Sequence, residues 1–311
     1  MQPRAVMQEP MTEPQQTRAI DLLITDGFAD YRLIDMGEGR KLERFGRYLV
    51  DRPEPQALVA RRSPSLWEKA DAVFLGMNAD DEGSDGRWKF RGASLERFPV
   101  RFGDIPFHGR FTPFRHLGFF PEQAPHWDDM ATRLAALGRP AKVLNLFGYT
   151  GVASLVAAKA GAAVTHVDAS KKAIGFAREN QTLAGLETAP IRWIVEDAMK
   201  FVAREERRGS RYDAIILDPP KYGRGPGGEV WDLFTDLPRL VDLCRAILSD
   251  QPAFVIVTTY AIRASFLAVD ELMRECFSGL PGTIRSGELA VREEGSGRLL
   301  STSHFSRWSA S

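Results

Sequence analysis

Apolar positions change their spacing near residue 140, and the change divides the chain. From 142 onward, short apolar runs alternate with segments of helical period. Strands are expected to end near Phe147, Val167, Val195, Leu217 and Thr259, with helices at about 151–160, 170–184, 197–207, 231–248 and 263–278. Such alternation implies a parallel sheet with helices on both faces. The end departs from it: Thr283 to Arg292, a turn at Glu293 to Gly297, then Leu299 to Trp308 reads as an antiparallel hairpin. Before 116 the pattern is β-like. Tyr31–Met36 and Lys41–Phe45 flank the glycine turn Gly37-Glu38-Gly39. Ala57–Ala60, Trp88–Phe90 and Phe98–Phe102 read as further strands, and Asp80–Gly86 as an acidic loop. The predicted fold is α/β: a doubly wound, seven-stranded, mostly parallel sheet closed by an antiparallel C-terminal hairpin, with a small N-terminal β-rich domain. The expected divisions are a mobile Gln- and Pro-rich tail (1–18), the β-rich domain (19–115), a bridging segment with the helix Trp127–Leu137 (116–140) and the main domain (141–311).

Composition narrows the function classes. A hydrophobic content of 44% and a charged content of 26% over 311 residues are those of a globular protein. Formal net charge is zero, so no global field draws the chain to nucleic acid or a membrane surface. No apolar run approaches the roughly 20 residues of a membrane span, and no secretory signal is seen at the N-terminus. Two cysteines, Cys244 and Cys276, argue against a disulfide scaffold or zinc cluster and fit a cytoplasmic location. A homo-oligomer is neither required nor forbidden. One local patch stands out. Arg87 to Arg101 carries five Lys or Arg against one Glu, interleaved with Trp88, Phe90 and Phe98. It suits a phosphate backbone and stacked bases; the plainer reading is a solvated strand face.

Candidate chemistry gathers at the carboxyl ends of the strands, where doubly wound sheets bind ligands. The first strand runs into Asn145-Leu146-Phe147-Gly148-Tyr149-Thr150-Gly151. Its two glycines permit a tight turn and a close approach to a ligand, but a dinucleotide fingerprint would show three. Asp168 ends the second strand about twenty residues past the loop, where an acid holds ribose hydroxyls. Asp197 ends the third. It suits an adenine amino group, the cap of the next helix, or both. The fourth strand, Asp213 to Leu217, is almost wholly apolar and ends Asp218-Pro219-Pro220-Lys221-Tyr222-Gly223. Two prolines remove two donors and fix two φ angles, so the loop is stiff and aims the Asp218 carboxylate and Pro219 carbonyl into the crevice.

These motifs together resemble the class I S-adenosylmethionine-dependent methyltransferases. More narrowly, they are similar to the bacterial large-subunit ribosomal RNA methyltransferases of the RlmI/RlmK-like group, whose Gly-aromatic-aromatic-x-x-Gln element is matched by Gly118-Phe119-Phe120-x-x-Gln123. The resemblance covers roughly 115 to 308 and does not extend to the N-terminal part. It implies S-adenosyl-L-methionine as cofactor and RNA, ribosomal RNA above all, as substrate. Asn145, Phe147, Gly148, Tyr149, Thr150 and Gly151 would line its methionine and ribose part. Asp168, with Ala169, would take the ribose, and Asp197, with Ala198, the adenine. Phe120 and Gln123 would close over it, and Asp218 to Tyr222 would face the acceptor.

The cysteines bear on the mechanism. Methylation at carbon 5 of a pyrimidine needs a thiolate that adds to the ring. None follows the fourth or fifth strand. Cys244 shares a helix face with Leu240, Val241, Ile247 and Leu248 and is expected in the core; Cys276 lies near the end of the next helix. Direct transfer to a nitrogen or oxygen remains. Asp218 and Pro219 would hold an amine and Tyr222 would stack on the base. Lys221 would contact a phosphate or guanine oxygen, or serve as a solvated loop cation. Arg224, among Gly223 and Gly225 to Gly228, is expected on a flexible closing loop. A small-molecule or protein acceptor stays open as an alternative, and a nicotinamide-dependent oxidoreductase is a distant one.

Overall fold

Five parallel strands run to one edge of a large sheet, in the spatial order Phe254–Tyr260, Ala214–Leu217, Lys142–Leu146, Ala163–Asp168, Ile191–Val195. The computed structural model describes residues 18–26, 28–76, 86–93, 96–260, 262 and 264–311. The expected tail and the acidic loop at 80–86 therefore lie outside the described residues, apart from Arg18 and Gly86. Chain order reverses at Lys142–Leu146, which opens a crevice beyond its carboxyl end. The two innermost strands are buried on both faces, which explains their continuous apolar runs. Helices Val152–Lys159, Lys171–Leu183, Ala198–Arg207, Leu233–Ala246 and Leu267–Cys276 form the crossovers. Three start on a side-chain cap: Ser170, Asp197 and Asp232 accept from the amides of Ala173, Lys200 and Thr235. No helix among the described residues is long and apolar enough to cross a membrane.

The C-terminal hairpin pairs antiparallel, Leu299–Ser309 lying between Phe254–Tyr260 and Thr283–Arg292. The sheet holds eight strands rather than the seven expected. The extra one is Asp21–Thr25, which runs parallel to Thr283–Arg292. The segment therefore belongs to the large sheet and not to the β-rich domain. Two features draw it in. Arg285 forks onto Asp21 at 2.6 and 3.0 Å. Gly287 leaves room for the Asp21 backbone, which an added Cβ would overlap.

The N-terminal domain is a five-stranded sheet in the order Tyr31–Gly37, Arg40–Phe45, Tyr48–Pro53, Ala72–Leu75, Arg87–Phe90, beside a hairpin of Arg97–Phe102 and Ile105–Arg110. Ala57–Ala60 is not a strand. The carbonyls of Val59 and Ala57 accept from the amides of Glu38 and Gly39 at 2.9 and 3.0 Å, so the segment straps the glycine turn. Leu58 is 88% exposed as a result.

Both domains share one core. Phe119 packs on Phe45 at 5.6 Å and on Phe107 at 5.0 Å between ring centroids. At the periphery Asp35, 1% exposed, accepts from Trp67 Nε1, the Ser63 amide and Arg298 Nη2, each at 2.9 Å. Arg298 lies on the C-terminal hairpin and also reaches Glu293 through Nε at 2.6 Å. Burial pushes the Asp35 carboxyl up, but the hydrogen bonds from Trp67, Ser63 and Arg62 outweigh it and hold the group below the usual carboxylate value.

Candidate active site

The turn after Lys142–Leu146 is tighter than two glycines require. Phe147 and Tyr149 adopt φ of 56° and 49°, in the left-handed region. Side chains seldom take that conformation except where a site demands it. Gly148 between them needs its missing Cβ for a different reason. An added Cβ would lie 2.6 Å from Nδ1 of His166 and closer still to its Cε1. That ring is fully buried under the loop, 4.6 Å from Trp193 between centroids, with Nδ1 2.9 Å from Ser154 Oγ. Burial lowers the His166 pKa to about 3, so the imidazole is neutral.

The turn delivers amides to Asp168. Its two carboxylate oxygens accept from Tyr149 N at 2.9 Å and Ser170 N at 2.8 Å. Burial raises the Asp168 pKa, and those two amides oppose the rise. A carboxylate offers about four acceptor sites, so two remain for hydroxyls.

A cleft of ≈ 790 Å³ lies beyond the strand tips. Among its walls are Phe120, Gln123, Phe147, Tyr149, Asp168, Ala169, Asp197, Ala198, Asp218, Pro219, Pro220 and Tyr222. A smaller recess of ≈ 60 Å³ shares Phe120, Gln123, Phe147, Tyr149 and Asp218 and adds Asn145, Gly148 and Thr150. Asn145 is turned into the core, where its Nδ2 donates to Ser154 Oγ at 2.9 Å. Thr150 fastens the bridging segment: its Oγ1 donates to the Gly118 carbonyl at 2.5 Å. Gly151 and Lys221 line neither cavity. Gly151, at φ 86°, starts the next helix close against Ala177. The Lys221 ammonium lies 5.2 Å from the Tyr222 ring, and its carbonyl accepts from Leu233 N.

Three features lie beyond the sequence motifs. Gln123 Nε2 donates to Asp218 Oδ2 at 3.2 Å, and its Oε1 accepts from Thr258 at 3.4 Å. Trp231 Nε1 donates to the Pro220 carbonyl at 2.7 Å while its ring packs 5.0 Å from Phe147. Arg115 Nη2 donates to the Tyr260 hydroxyl at 3.1 Å. Arg224, expected on a closing loop, lies in a short hairpin, Tyr222–Arg224 against Val230–Asp232. The only hint in sequence was the large apolar Trp231 directly before a helix-capping Asp232.

In the basic stretch, Arg87, Lys89, Arg91, Arg97 and Arg101 are exposed. Its aromatic residues are otherwise engaged. Phe98 is buried, and Trp88 and Phe90 meet Phe111 edge-on at 4.9 and 5.0 Å. The charged side of the stretch thus faces solvent while its rings pack against Phe111 and the core. Cys244 is buried and its thiol is pushed up by burial. Cys276 is pushed up to about 12, by burial first and then by Asp242. Neither lines the cleft.

An acid at the second strand tip, a strained glycine turn and a crevice at the point of reversal define a doubly wound enzyme built for a nucleoside-type ligand. The chain belongs to the S-adenosylmethionine-dependent methyltransferases. That family's model matches residues 130–280. A solved SAM-dependent methyltransferase from Agrobacterium tumefaciens is 55% identical, with 94% of this chain and 95% of that one covered at a TM-score of 0.91. Similarity extends to the ribosomal RNA large subunit methyltransferase K/L of Syntrophotalea carbinolica, 30% identical over 65% of this chain and 28% of that protein. The ribosomal RNA large subunit methyltransferase I of Escherichia coli is 28% identical over 63% of this chain and 52% of that protein. The chain thus spans about a quarter to a half of the length of these two curated relatives. The cofactor is S-adenosylmethionine, and the cleft suits it: Asp168, at the tip of the second strand, keeps acceptor sites for a ribose.

Proposed function

We infer that this enzyme methylates RNA, ribosomal RNA in particular, by direct transfer to a nitrogen or oxygen. The observation that carries this reading is the position of Asp218-Pro219-Pro220 on the same cleft as Asp168 and Asp197. The names of the two ribosomal RNA relatives support the substrate class. Asp168 and Ala169 hold the ribose of the cofactor, and Asp197 and Ala198 its adenine. Asp197 does this while one of its oxygens caps the following helix. Phe120, Gln123, Phe147, Gly148 and Tyr149 enclose the remainder.

When bound, the cofactor supplies an electrophilic methyl group on a sulfonium. Asp218 and the Pro219 carbonyl orient the acceptor so that its lone pair faces that methyl. With the methyl group delivered, the acceptor's proton would pass to Asp218 or to water. Tyr222, 63% exposed at the cleft, stacks on the acceptor base. Lys221, with its ammonium beside that ring, meets a phosphate. No covalent adduct is involved, since both thiols lie away from the cleft and have raised pKa values.

Mass spectrometry of RNA nucleosides from cells lacking the protein tests this reading. The expected result is loss of one methylated nucleoside, restored by the wild-type chain and not by Asp218→Ala. An unchanged nucleoside profile would contradict it.

A further inference from the structure

Part of the cleft wall lies outside the glycine turn and the Asp-Pro-Pro loop. Thr112, Pro113, Phe114 and His116, which follow the N-terminal hairpin, and Tyr260 at the tip of the parallel strand Phe254–Tyr260 border the same cavity as Asp218 and Pro219. None of these side chains is used by the cofactor assignments above. Their chemistry is consistent. Phe114 is 40% exposed and adds an apolar face to the cleft. The Phe120 ring lies 5.2 Å from His116 and 6.1 Å from Tyr260 between centroids, so three flat side chains form a continuous row. Gln123, three residues past Phe120, holds Asp218.

The wall is also rigid and polar at one point. The Thr112 hydroxyl accepts from Phe114 N at 3.2 Å and lies 2.9 Å from the His116 carbonyl, which fixes the turn. The Arg115 carbonyl accepts from Arg52 Nη1 at 3.0 Å, and Arg52 forks onto buried Glu43 at 2.5 and 2.9 Å. The Tyr260 hydroxyl accepts from Arg115 Nη2 at 3.1 Å, and a phenol that accepts in this way can still donate its O–H to a ligand. Burial, reinforced by Arg115, Arg52 and Lys41, lowers the His116 pKa to about 3, so its ring is neutral.

We propose that Phe114, His116 and Tyr260 form the acceptor pocket, in which a planar nucleobase lies against the Phe114–His116 face with an edge carbonyl or ring nitrogen on the Tyr260 hydroxyl. This rests on the RNA reading and gives the N-terminal domain its part in it. A neutral imidazole and a phenyl ring favour a flat uncharged ring. The phenol donor selects bases with an acceptor on that edge.

The test is methyl transfer from labelled S-adenosylmethionine to large-subunit ribosomal RNA transcribed without modifications, beside titration with S-adenosylhomocysteine. Phe114→Ala and His116→Ala should each lower kcat/KM for RNA by about five- to a hundredfold, the range for loss of one stacking side chain. Tyr260→Phe should lower it about tenfold through one lost hydrogen bond. S-adenosylhomocysteine affinity should stay within about twofold in all three, which also reports correct folding. Three variants with wild-type KM and kcat for RNA would overturn the pocket while leaving the RNA reading intact. Parallel loss of S-adenosylhomocysteine affinity would overturn it too, by assigning the wall to the cofactor. A wild-type protein that transfers no methyl to RNA overturns the RNA reading itself, and the base-binding pocket with it.

Discussion

Replacing Gly148 by alanine isolates the packing under the cofactor loop. No backbone strain is involved, because Gly148 is absent from the positive-φ residues while its neighbours Phe147, Tyr149 and Gly151 are among them. The added methyl instead meets the His166 ring, 2.6 Å from Nδ1 and 2.9 Å from Nε2. That ring has nowhere to go, held as it is by Ser154 and Trp193. Overpacking of this kind costs about 1–3 kcal/mol. The softer partner is the loop, and lifting it breaks Gly148 N to Val167 O (3.1 Å) and Tyr149 N to Asp168 Oδ2 (2.9 Å). Asp168 then loses one of the two amides that orient it. Affinity for S-adenosylhomocysteine should fall about tenfold or more, equivalent to about 1.4 kcal/mol. The double variant Gly148→Ala/His166→Ala removes the opposing ring. Its affinity should return to within about threefold of His166→Ala alone, a coupling of about 1 kcal/mol between neighbours. Calorimetric titration reads the affinities and urea denaturation the stabilities. Wild-type binding by Gly148→Ala, or a double variant no better than the single, would refute the reasoning.

Other outcomes follow from the same geometry. Gln123 borders the cofactor and also holds Asp218, so Gln123→Ala should reduce kcat about tenfold to a hundredfold, the worth of a hydrogen bond to a charged group, with a smaller loss of cofactor affinity; equal losses in both would show that the contact with Asp218 adds nothing to the transfer step. Cys244→Ala/Cys276→Ala should retain methyl transfer, and a trapped covalent RNA adduct on the wild-type protein would contradict direct transfer. Asp35→Ala leaves Arg298 facing Glu293 without its second partner and should destabilise by about 2–3 kcal/mol, between the values for exposed and buried pairs. The Asp35 contribution has a sign in pH: with the folded pKa below the ordinary 3.8, it is fully present above that value and lost as pH falls through the lower folded one. Urea midpoints of wild type and Asp35→Asn should therefore converge in acid, and a constant gap down to pH 2 would count against the assignment.

The central architecture was legible because it rests on local patterns. Ala214–Leu217 is a continuous apolar run because both its faces are covered, and Asp218-Pro219-Pro220 announces its own stiffness. What escaped depends on partners far along the chain. Asp21–Thr25 carries no pattern that points to Thr283–Arg292; Gly287 and the Arg285–Asp21 pair acquire meaning only once the two strands are side by side. Apolar Ala57–Ala60 looked like a strand but serves as a strap whose hydrogen bonds go to a glycine turn. At the site, the strand tips were visible from spacing. The direction of a side chain was not: Asn145 turns inward to Ser154, and Thr150 anchors Gly118. The basic stretch illustrates the same limit, since charge alternation located its exposed face but not the aromatic interior behind it.

A crystal of the protein grown with S-adenosylhomocysteine tests the central claim most directly. The ribose hydroxyls should lie within hydrogen-bonding distance of Asp168, the adenine beside Asp197 and Ala198, and the sulfur facing Asp218 and Pro219. A ligand seated away from these strand tips, or a sulfur turned from Asp218, would contradict it.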